Sequence, residues 1–583
     1  MFELGPKVKV APVAQHARTL GELVRLRMER SAHRPAHFEK RGDSWQPITW
    51  QQFFDRASRV AAGLLALGLS PGDRVAILGP TQPQWGAYDI GGQLAGMVTF
   101  GIYPKLAVDQ VRYLIEHSEA KVIFVDEVTE LATVIAAAKG IASLIAIVPW
   151  READVAAGAA EDPRVISPAR FEGELLAAER CKAIQDAIDP ASPAILVYTS
   201  GTTGHPKGAM VSHRNILAMV SCVVGAFESY ANDISLHFLP MAHAAERVAF
   251  FGRINTGVAG AYAKSIATVL DDLQSVQPTL FGSVPRIYEK AYAKIHSEIS
   301  KQKPAVQKLF AWAVRVGRDR LALTLANKPV PLGLALQHRL ADRLVFRKVR
   351  AAFGGRVRQM ITGAAPTPLP VLEFFWMAGL PIYEVYGMTE ATLMTHMNRP
   401  GHVKLGTVGR IVSSLEHKVA DDGEILIRGP LVFIGYYKDA AATAEAVRDG
   451  WLHTGDVGTI DADGYVRITD RKKHLIITAG GKNLSPANIE RAIMEQDPLI
   501  ARVHAHGDRR SYVTAIVAPS PLETLEWGVA RGLCTAEEVA QREAELLANP
   551  AGRTPALEMA IAKIVVDAEF RERIRDAVAR GNK

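Results

Sequence analysis

Short runs of aliphatic and β-branched residues recur along this chain between longer segments of helical periodicity. Val75–Leu78, Lys121–Val125, Ser143–Val148 and Ala194–Tyr198 read as buried strands, and Gln52–Leu67 and Val108–His117 read as helices. Strands that alternate with helices in this way predict an α/β architecture with largely parallel sheets. The 583 residues exceed the roughly 100–200 typical of one domain, so several structural units are expected. A hydrophobic fraction of 48% with 22% charged residues excludes a globally disordered chain. One boundary is expected near Arg471. Before it lies a strand-and-turn region containing Asp421-Asp422-Gly423 and Asp461-Ala462-Asp463-Gly464, and after it a smaller unit with the glycine pair Gly480-Gly481. Residues 530–583 are helical in composition.

Several function classes are disfavoured at this point. Cys181, Cys222 and Cys534 are far apart and form no C-x-x-C pair, which argues against a zinc site or a disulfide framework. The net charge of +7 suits anionic ligands such as nucleotides, or an acidic membrane surface. No run of Lys and Arg dominates the chain, so no nucleic-acid partner is expected. Residues 1–20 lack an apolar signal core, and no stretch approaches about 20 consecutive apolar residues. The expectation is an intracellular, cytoplasmic protein. Residues 301–358 stand apart, with fourteen Lys and Arg against two acids, Asp319 and Asp342. Leu309, Trp312, Val316, Leu323, Leu344 and Val345 are interleaved with those charges. The segment reads either as a pair of solvated surface helices or as an amphipathic surface that meets anionic lipid, on the inner face of a membrane, or an acyl-donor partner.

The segment richest in chemistry is Tyr198-Thr199-Ser200-Gly201-Thr202-Thr203-Gly204-His205-Pro206-Lys207-Gly208. The apolar strand Ala194–Val197 runs directly into hydroxyl and glycine residues and then a lysine. Glycines allow the backbone N–H groups to approach a phosphate, hydroxyls add donors and Lys207 adds a positive charge. The order differs from a Walker A loop, and neither Ser nor Thr follows the lysine. Such a loop suits an oligophosphate. A second string, Tyr386-Gly387-Met388-Thr389-Glu390, offers an aromatic ring, a hydroxyl and a carboxylate. The carboxylate is a suitable oxygen ligand for Mg²⁺.

These motifs resemble those of the adenylate-forming superfamily of acyl- and aryl-CoA synthetases, adenylation domains and luciferases. Agreement runs in the family's order from about residue 40 to residue 490. The resemblance implies a large N-terminal α/β domain over residues 1–470, carrying ATP and acyl sites, and a small hinged α+β domain over residues 471–583. It gives the Thr199–Lys207 loop to the ATP phosphates, through Thr199, Ser200, Gly201, Thr202, Thr203, Gly204 and Lys207. It gives Tyr386 to adenine, Thr389 to the α-phosphate and Glu390 to Mg²⁺, with Gly387 and Met388 in the same segment. Gly363-Ala364-Ala365-Pro366 resembles the backbone that lines the adenine pocket. Trp451-Leu452-His453-Thr454-Gly455-Asp456 resembles the motif whose aspartate accepts the ribose hydroxyls, a role a carboxylate suits. Asp470-Arg471-Lys472-Lys473 implies that Arg471 also reaches the ribose and that Lys473 is the hinge. Gly480-Gly481-Lys482-Asn483, with Gly481 at its centre, resembles the strand lining the pantetheine tunnel of coenzyme A.

Leu239-Pro240-Met241-Ala242-His243 resembles a motif beside the acyl pocket. His243 there is either a neighbour of the acid's carboxylate or a packed histidine. The string through Glu246 and Arg247, Ser283-Val284-Pro285-Arg286 and the long insert from Glu289 to Arg358 resemble long-chain fatty acyl-CoA synthetases. The resemblance therefore implies a ligase that takes ATP, Mg²⁺, a fatty acid and coenzyme A. The alternatives are an acyl-AMP ligase that loads a carrier protein and an inactive homologue that binds fatty acid or nucleotide. One departure stands out. Family members carry a lysine near the C-terminus that bridges the carboxylate and the α-phosphate, in a motif that the closing residues Asp576–Lys583 do not match. On that reading the small domain is incomplete, either through truncation of the sequence or through a natural loss, and only a natural loss would leave adenylation without a charge-stabilising group.

Overall fold

The computed structural model describes residues 9–42, 44–199, 205–266, 268–477, 483–508, 510, 512–548 and 554–581. The chain forms two compact units, one within Met1–Lys418, Leu426–His453 and Ile460–Val466, the other within Val419–Ile425, Thr454–Thr459 and Arg467–Lys583.

The first unit is built on two large sheets. The seven-stranded sheet runs in the order Gly435–Tyr436, Lys207–Ser212, Pro193–Thr199, Val98–Ile102, Arg74–Leu78, Val122–Val125, Ala146–Pro149. Its last five strands are parallel, and the first two are antiparallel to their neighbours. The nine-stranded sheet has six parallel strands at its centre, from Ile382–Tyr386 through Leu280–Ser283 to Pro35–Arg41, and antiparallel strands at its ends. In Arg74–Leu78 the residues Val75, Ala76, Ile77 and Leu78 are all fully buried. Such a strand needs cover on both faces, which is why it reads as an unbroken apolar run.

The helix Trp50–Ala66 shows how locally the sequence acts. Thr49 Oγ1 accepts from the Gln52 N–H at 3.2 Å, and Gln52 Oε1 accepts from the Thr49 N–H at 2.9 Å, a reciprocal cap. Phe53, Ala57, Val60, Ala61 and Leu64 then fall on one face and are buried. The strand expected over Ser143–Val148 is shorter, Ala146–Pro149. The chain enters the sheet only where the Ile145 and Ala146 N–H groups both reach the Lys121 carbonyl, leaving Ile145 exposed.

Residues 304–352 form Pro304–Leu325, Leu332–Ala341, a π-helical turn Asp342–Phe346 and Arg347–Ala352. Phe310, Ala313, Val316, Val345, Phe346 and Val349 from these elements are buried in the same core as the nine-stranded sheet. The segment is therefore anchored, not solvated all round.

The second unit holds the hairpin Ile500–His506 and Thr514–Pro519, with Pro486–Met494 against it. Four helices follow, Pro521–Val529, Ala536–Ala548, Pro555–Val565 and Ala568–Gly581. Leu525, Leu557, Ile564 and Phe570 form a core among them, so this unit is α+β. Among the described residues no helix is long and apolar enough to cross a membrane.

Candidate active site

The strand Pro193–Thr199 pairs antiparallel with Lys207–Ser212, with Thr199 opposite Lys207 and Tyr198 opposite Gly208. The strand that enters the hydroxyl- and glycine-rich segment and the strand that follows it are therefore partners in one antiparallel pair. Thr199 and Lys207 flank that segment, and Thr199 Oγ1 lies 3.4 Å from the Lys207 carbonyl oxygen. Of the expected phosphate ligands, Ser200, Gly201, Thr202, Thr203 and Gly204 lie outside the described residues. The return arm is held by Tyr113, whose hydroxyl donates to the Pro206 carbonyl at 3.1 Å and whose ring stacks on His205 with centroids 4.4 Å apart.

Glu390 enters from the far sheet. It follows the strand Ile382–Tyr386 in a short 3₁₀ turn, Thr389–Ala391, and is buried. Gly387 is required by the tight return of this segment, since a Cβ there would stand 1.4 Å from the Leu393 carbonyl oxygen. The segment around Gly435–Tyr436 then ties the two parts together. Phe433 N–H donates to the Glu390 carbonyl at 2.8 Å, Ile434 N–H to the Met210 carbonyl at 3.0 Å and Tyr437 N–H to the Gly208 carbonyl at 2.8 Å.

That path sets Tyr436 between the two charged groups. Its hydroxyl donates to Glu390 Oε1 at 2.6 Å, and Lys207 Nζ sits 5.3 Å from its ring centroid. Lys207 Nζ also lies 3.9 Å from Asp439 Oδ2. Burial first, and then the Glu390 carboxylate, push the Tyr436 phenol well above its ordinary range, so it stays a donor at any physiological pH. Tyr436, Asp439 and Tyr113 were not singled out by the sequence reading. They lie far along the chain from the loop; the pairing of Gly435–Tyr436 with Lys207–Ser212 brings Tyr436 and Asp439 to it, and the helix Val108–Ser118 brings Tyr113.

Tyr386, Met388 and Thr389 are half-buried beside Glu390, with the Tyr386 ring 5.7 Å from that of His396. Gly363 lies against Val385, where a Cβ would meet the side chain at 3.0 Å and the carbonyl oxygen at 3.2 Å. Ala364 has φ of 70°, the left-handed conformation that side chains seldom adopt, and Ala365 is exposed. The expected adenine segment is thus a constrained backbone turn one strand away from Tyr386.

His243 precedes the helix Ala244–Thr256, and its Nδ1 accepts from the Ala245 N–H at 3.0 Å. This bond places the ring proton on Nε2. Burial lowers its pKa, with Glu246 acting in the opposite sense. Two sets of buried side-chain contacts fix the same helix. Glu246 bonds His237 at 2.5 Å, and Arg247 bonds Asp89 at 2.5 Å and Thr99 Oγ1 at 2.6 Å.

In the second unit Asp456 is buried and Arg471 Nε lies 3.3 Å from its Oδ1. Lys472 bridges Asp422 at 2.5 Å and Glu424 at 3.0 Å. Lys473 is exposed within the short turn Lys472–His474. Gly481, with Gly480 and Lys482, lies outside the described residues.

Within the first unit, a parallel-sheet α/β scaffold brings Lys207 and the buried carboxylate of Glu390 to one tyrosine, Tyr436. An O-succinylbenzoate coenzyme A synthetase of Bacillus subtilis, solved with ATP and a magnesium ion, is similar with a TM-score of 0.62 at 22% identity, over 85% of this chain and 89% of that one. Residues 24–437 match the model of the AMP-binding enzyme family, and the chain belongs to that family. It is 34% identical over 479 residues to a long-chain-fatty-acid–CoA ligase, FadD15, of Mycobacterium bovis, covering 82% of this chain and 78% of that protein. It is 33% identical over 516 residues to long-chain-fatty-acid–CoA ligase 1 of Homo sapiens, covering 84% of this chain and 72% of that protein.

Proposed function

We propose that this chain is an AMP-forming acid–thiol ligase that activates a long-chain fatty acid as its acyl-adenylate and transfers the acyl group to coenzyme A. The observation that carries the proposal is the bracket in which Tyr436 bonds Glu390 while Lys207 stands over the same ring. It gathers a carboxylate and a cation at the mouth of a loop chemically suited to phosphate. The fatty-acid substrate and coenzyme A rest on the likeness to the two ligases above.

In the first step an oxygen of the acid's carboxylate attacks the α-phosphorus of ATP. The bond from that phosphorus to the bridging oxygen breaks, and pyrophosphate leaves. Thr199, Lys207 and the loop between them neutralise charge on the departing group. Thr389 is proposed to donate to the α-phosphate and Tyr386 to stack on adenine. Gly363, Ala364 and Ala365 offer the backbone edge of that pocket.

Among the described residues no three His, Cys, Asp or Glu side chains converge as a metal cage. Glu390 would supply a protein carboxylate, with substrate phosphates and water as further oxygens. That donor set fits Mg²⁺, which keeps much of its hydration and prefers oxygen. When bound, the ion supplies charge neutralisation on the phosphates. In the second step the thiol sulfur of coenzyme A attacks the acyl carbonyl, the bond to the AMP oxygen breaks, and the thiol proton passes to solvent. Asp456 and Arg471 are proposed ribose ligands, and Lys473 the hinge of a small C-terminal domain beginning near Arg471. His243, donating from Nε2, is proposed to face the acyl carboxylate.

The test is fatty-acid-dependent pyrophosphate release across acids of increasing length, with and without coenzyme A. Release that peaks with long chains, accompanied by thioester formation, is expected. Release without thioester, rescued by a phosphopantetheine carrier, would favour the carrier-loading alternative. Tight ATP binding with no release at any chain length would reject the ligase.

A further inference from the structure

The helix Leu332–Ala341 and the π-helical turn after it carry a surface that the reaction above does not use. Its inner side is packed, with Leu334 against the core, Ala341 and Val345 buried and the His338 ring 5.8 Å from that of Phe346. A surface helix anchored in this way should turn a polar face to water. This one turns leucine. Leu332, Leu336, Leu340 and Leu344 recur every fourth residue and are 84%, 67%, 51% and 40% exposed. Residues four apart lie on one side of a helix, so they form a continuous apolar row, which costs free energy in water. Contiguous exposed apolar surface of this kind marks an interaction site.

Cations border the row. Arg339, Arg343 and Arg347 repeat at the same spacing one position earlier, Lys328 precedes the row and Lys348 continues it, and all five are exposed. The acid within this stretch, Asp342, is held by Arg350 in a two-point pair at 2.5 and 2.9 Å. The border therefore presents positive charge.

We infer that this leucine row and its arginine border dock the protein on an anionic lipid bilayer. Leucines that can sink below the headgroups, beside cations that meet lipid phosphates, are the two components of interfacial helix binding. A second copy of the chain is a poorer occupant. A two-fold interface sets a patch against itself, and here that would bring the arginine rows together. The docking surface does not depend on the chemistry proposed for Glu390 and Lys207.

The test is flotation of the full chain with phosphatidylcholine vesicles, with and without phosphatidylglycerol. Two double variants are compared, Leu336→Gln/Leu340→Gln and Arg339→Gln/Arg343→Gln. All four positions are exposed, and circular dichroism with thermal melting checks that the fold is kept. Partition into the anionic vesicles that weakens with salt, and falls about tenfold in each variant, is expected. Equal binding to neutral and anionic vesicles, or leucine variants that partition like the parent, would overturn the inference. So would a concentration-dependent dimer in sedimentation velocity that the leucine variant abolishes, because the row would then be an interface between copies.

Discussion

At the scale of single residues, the candidate site depends on neighbours that share no sequence proximity. Glu390 is held by Tyr436, 46 positions away, through one 2.6 Å bond. Glu390→Gln keeps the side chain's size and removes its charge. Pyrophosphate release is expected to fall by about a hundredfold or more, with a higher magnesium requirement, on the scale of a lost charge-stabilising group. Tyr436→Phe leaves the carboxylate charged but unsteered, and a loss of about tenfold is expected in the same assay. Asp89 makes a different point. Its carboxylate and the Arg247 guanidinium are 0% and 1% exposed, so neither can turn to water. Asp89→Ala strands the guanidinium, and a loss of about 3–5 kcal/mol in denaturant unfolding is expected. Arg247→Met placed on top should recover part of it, since the stranded charge is gone.

At the scale of elements, local rules account for much of what formed. The reciprocal cap of Thr49 and Gln52 starts the helix Trp50–Ala66 where the apolar periodicity begins. Thr49→Ala removes the Oγ1 acceptor, and a loss of about 1 kcal/mol is expected from thermal or chemical melting. The strands Arg74–Leu78, Val122–Val125 and Pro193–Thr199 were legible because both their faces are covered. Ser143–Ile145 misled for the same reason. These residues carry apolar content without entering the ladder, and composition does not report where hydrogen bonding begins. The segment 301–358 was legible as amphipathic helix, but its inner anchor through Phe310, Val316 and Phe346 was not. Helical periodicity tells which residues share a face, not which of two apolar faces the core will take.

At the scale of the whole molecule, buried histidines set an acid limit on stability. Burial lowers His396 to about 3, with His417 contributing in the same sense, and lowers His37 and His213 to about 4. The unfolded chain takes up these protons near pH 6.5, whereas the folded chain resists them until well below. The stability their neutral forms confer is therefore complete above pH 6.5 and is lost as pH falls toward 4. A melting temperature that declines across that window is expected, with a shallower decline in His213→Gln. Local pattern was enough to read the α/β alternation, the strand that runs into the hydroxyl-glycine segment and the strings around Glu390 and Asp456. Burial on both faces and glycine-dependent turns leave local marks in composition and spacing. Folding of the whole chain was needed to pair the strands on either side of that segment, to bring Tyr436 and Asp439 to Lys207, and to turn the leucines of Leu332–Leu344 outward. Strand register and the choice of packed face arise from pairings between residues far apart in the chain, and no local pattern encodes them.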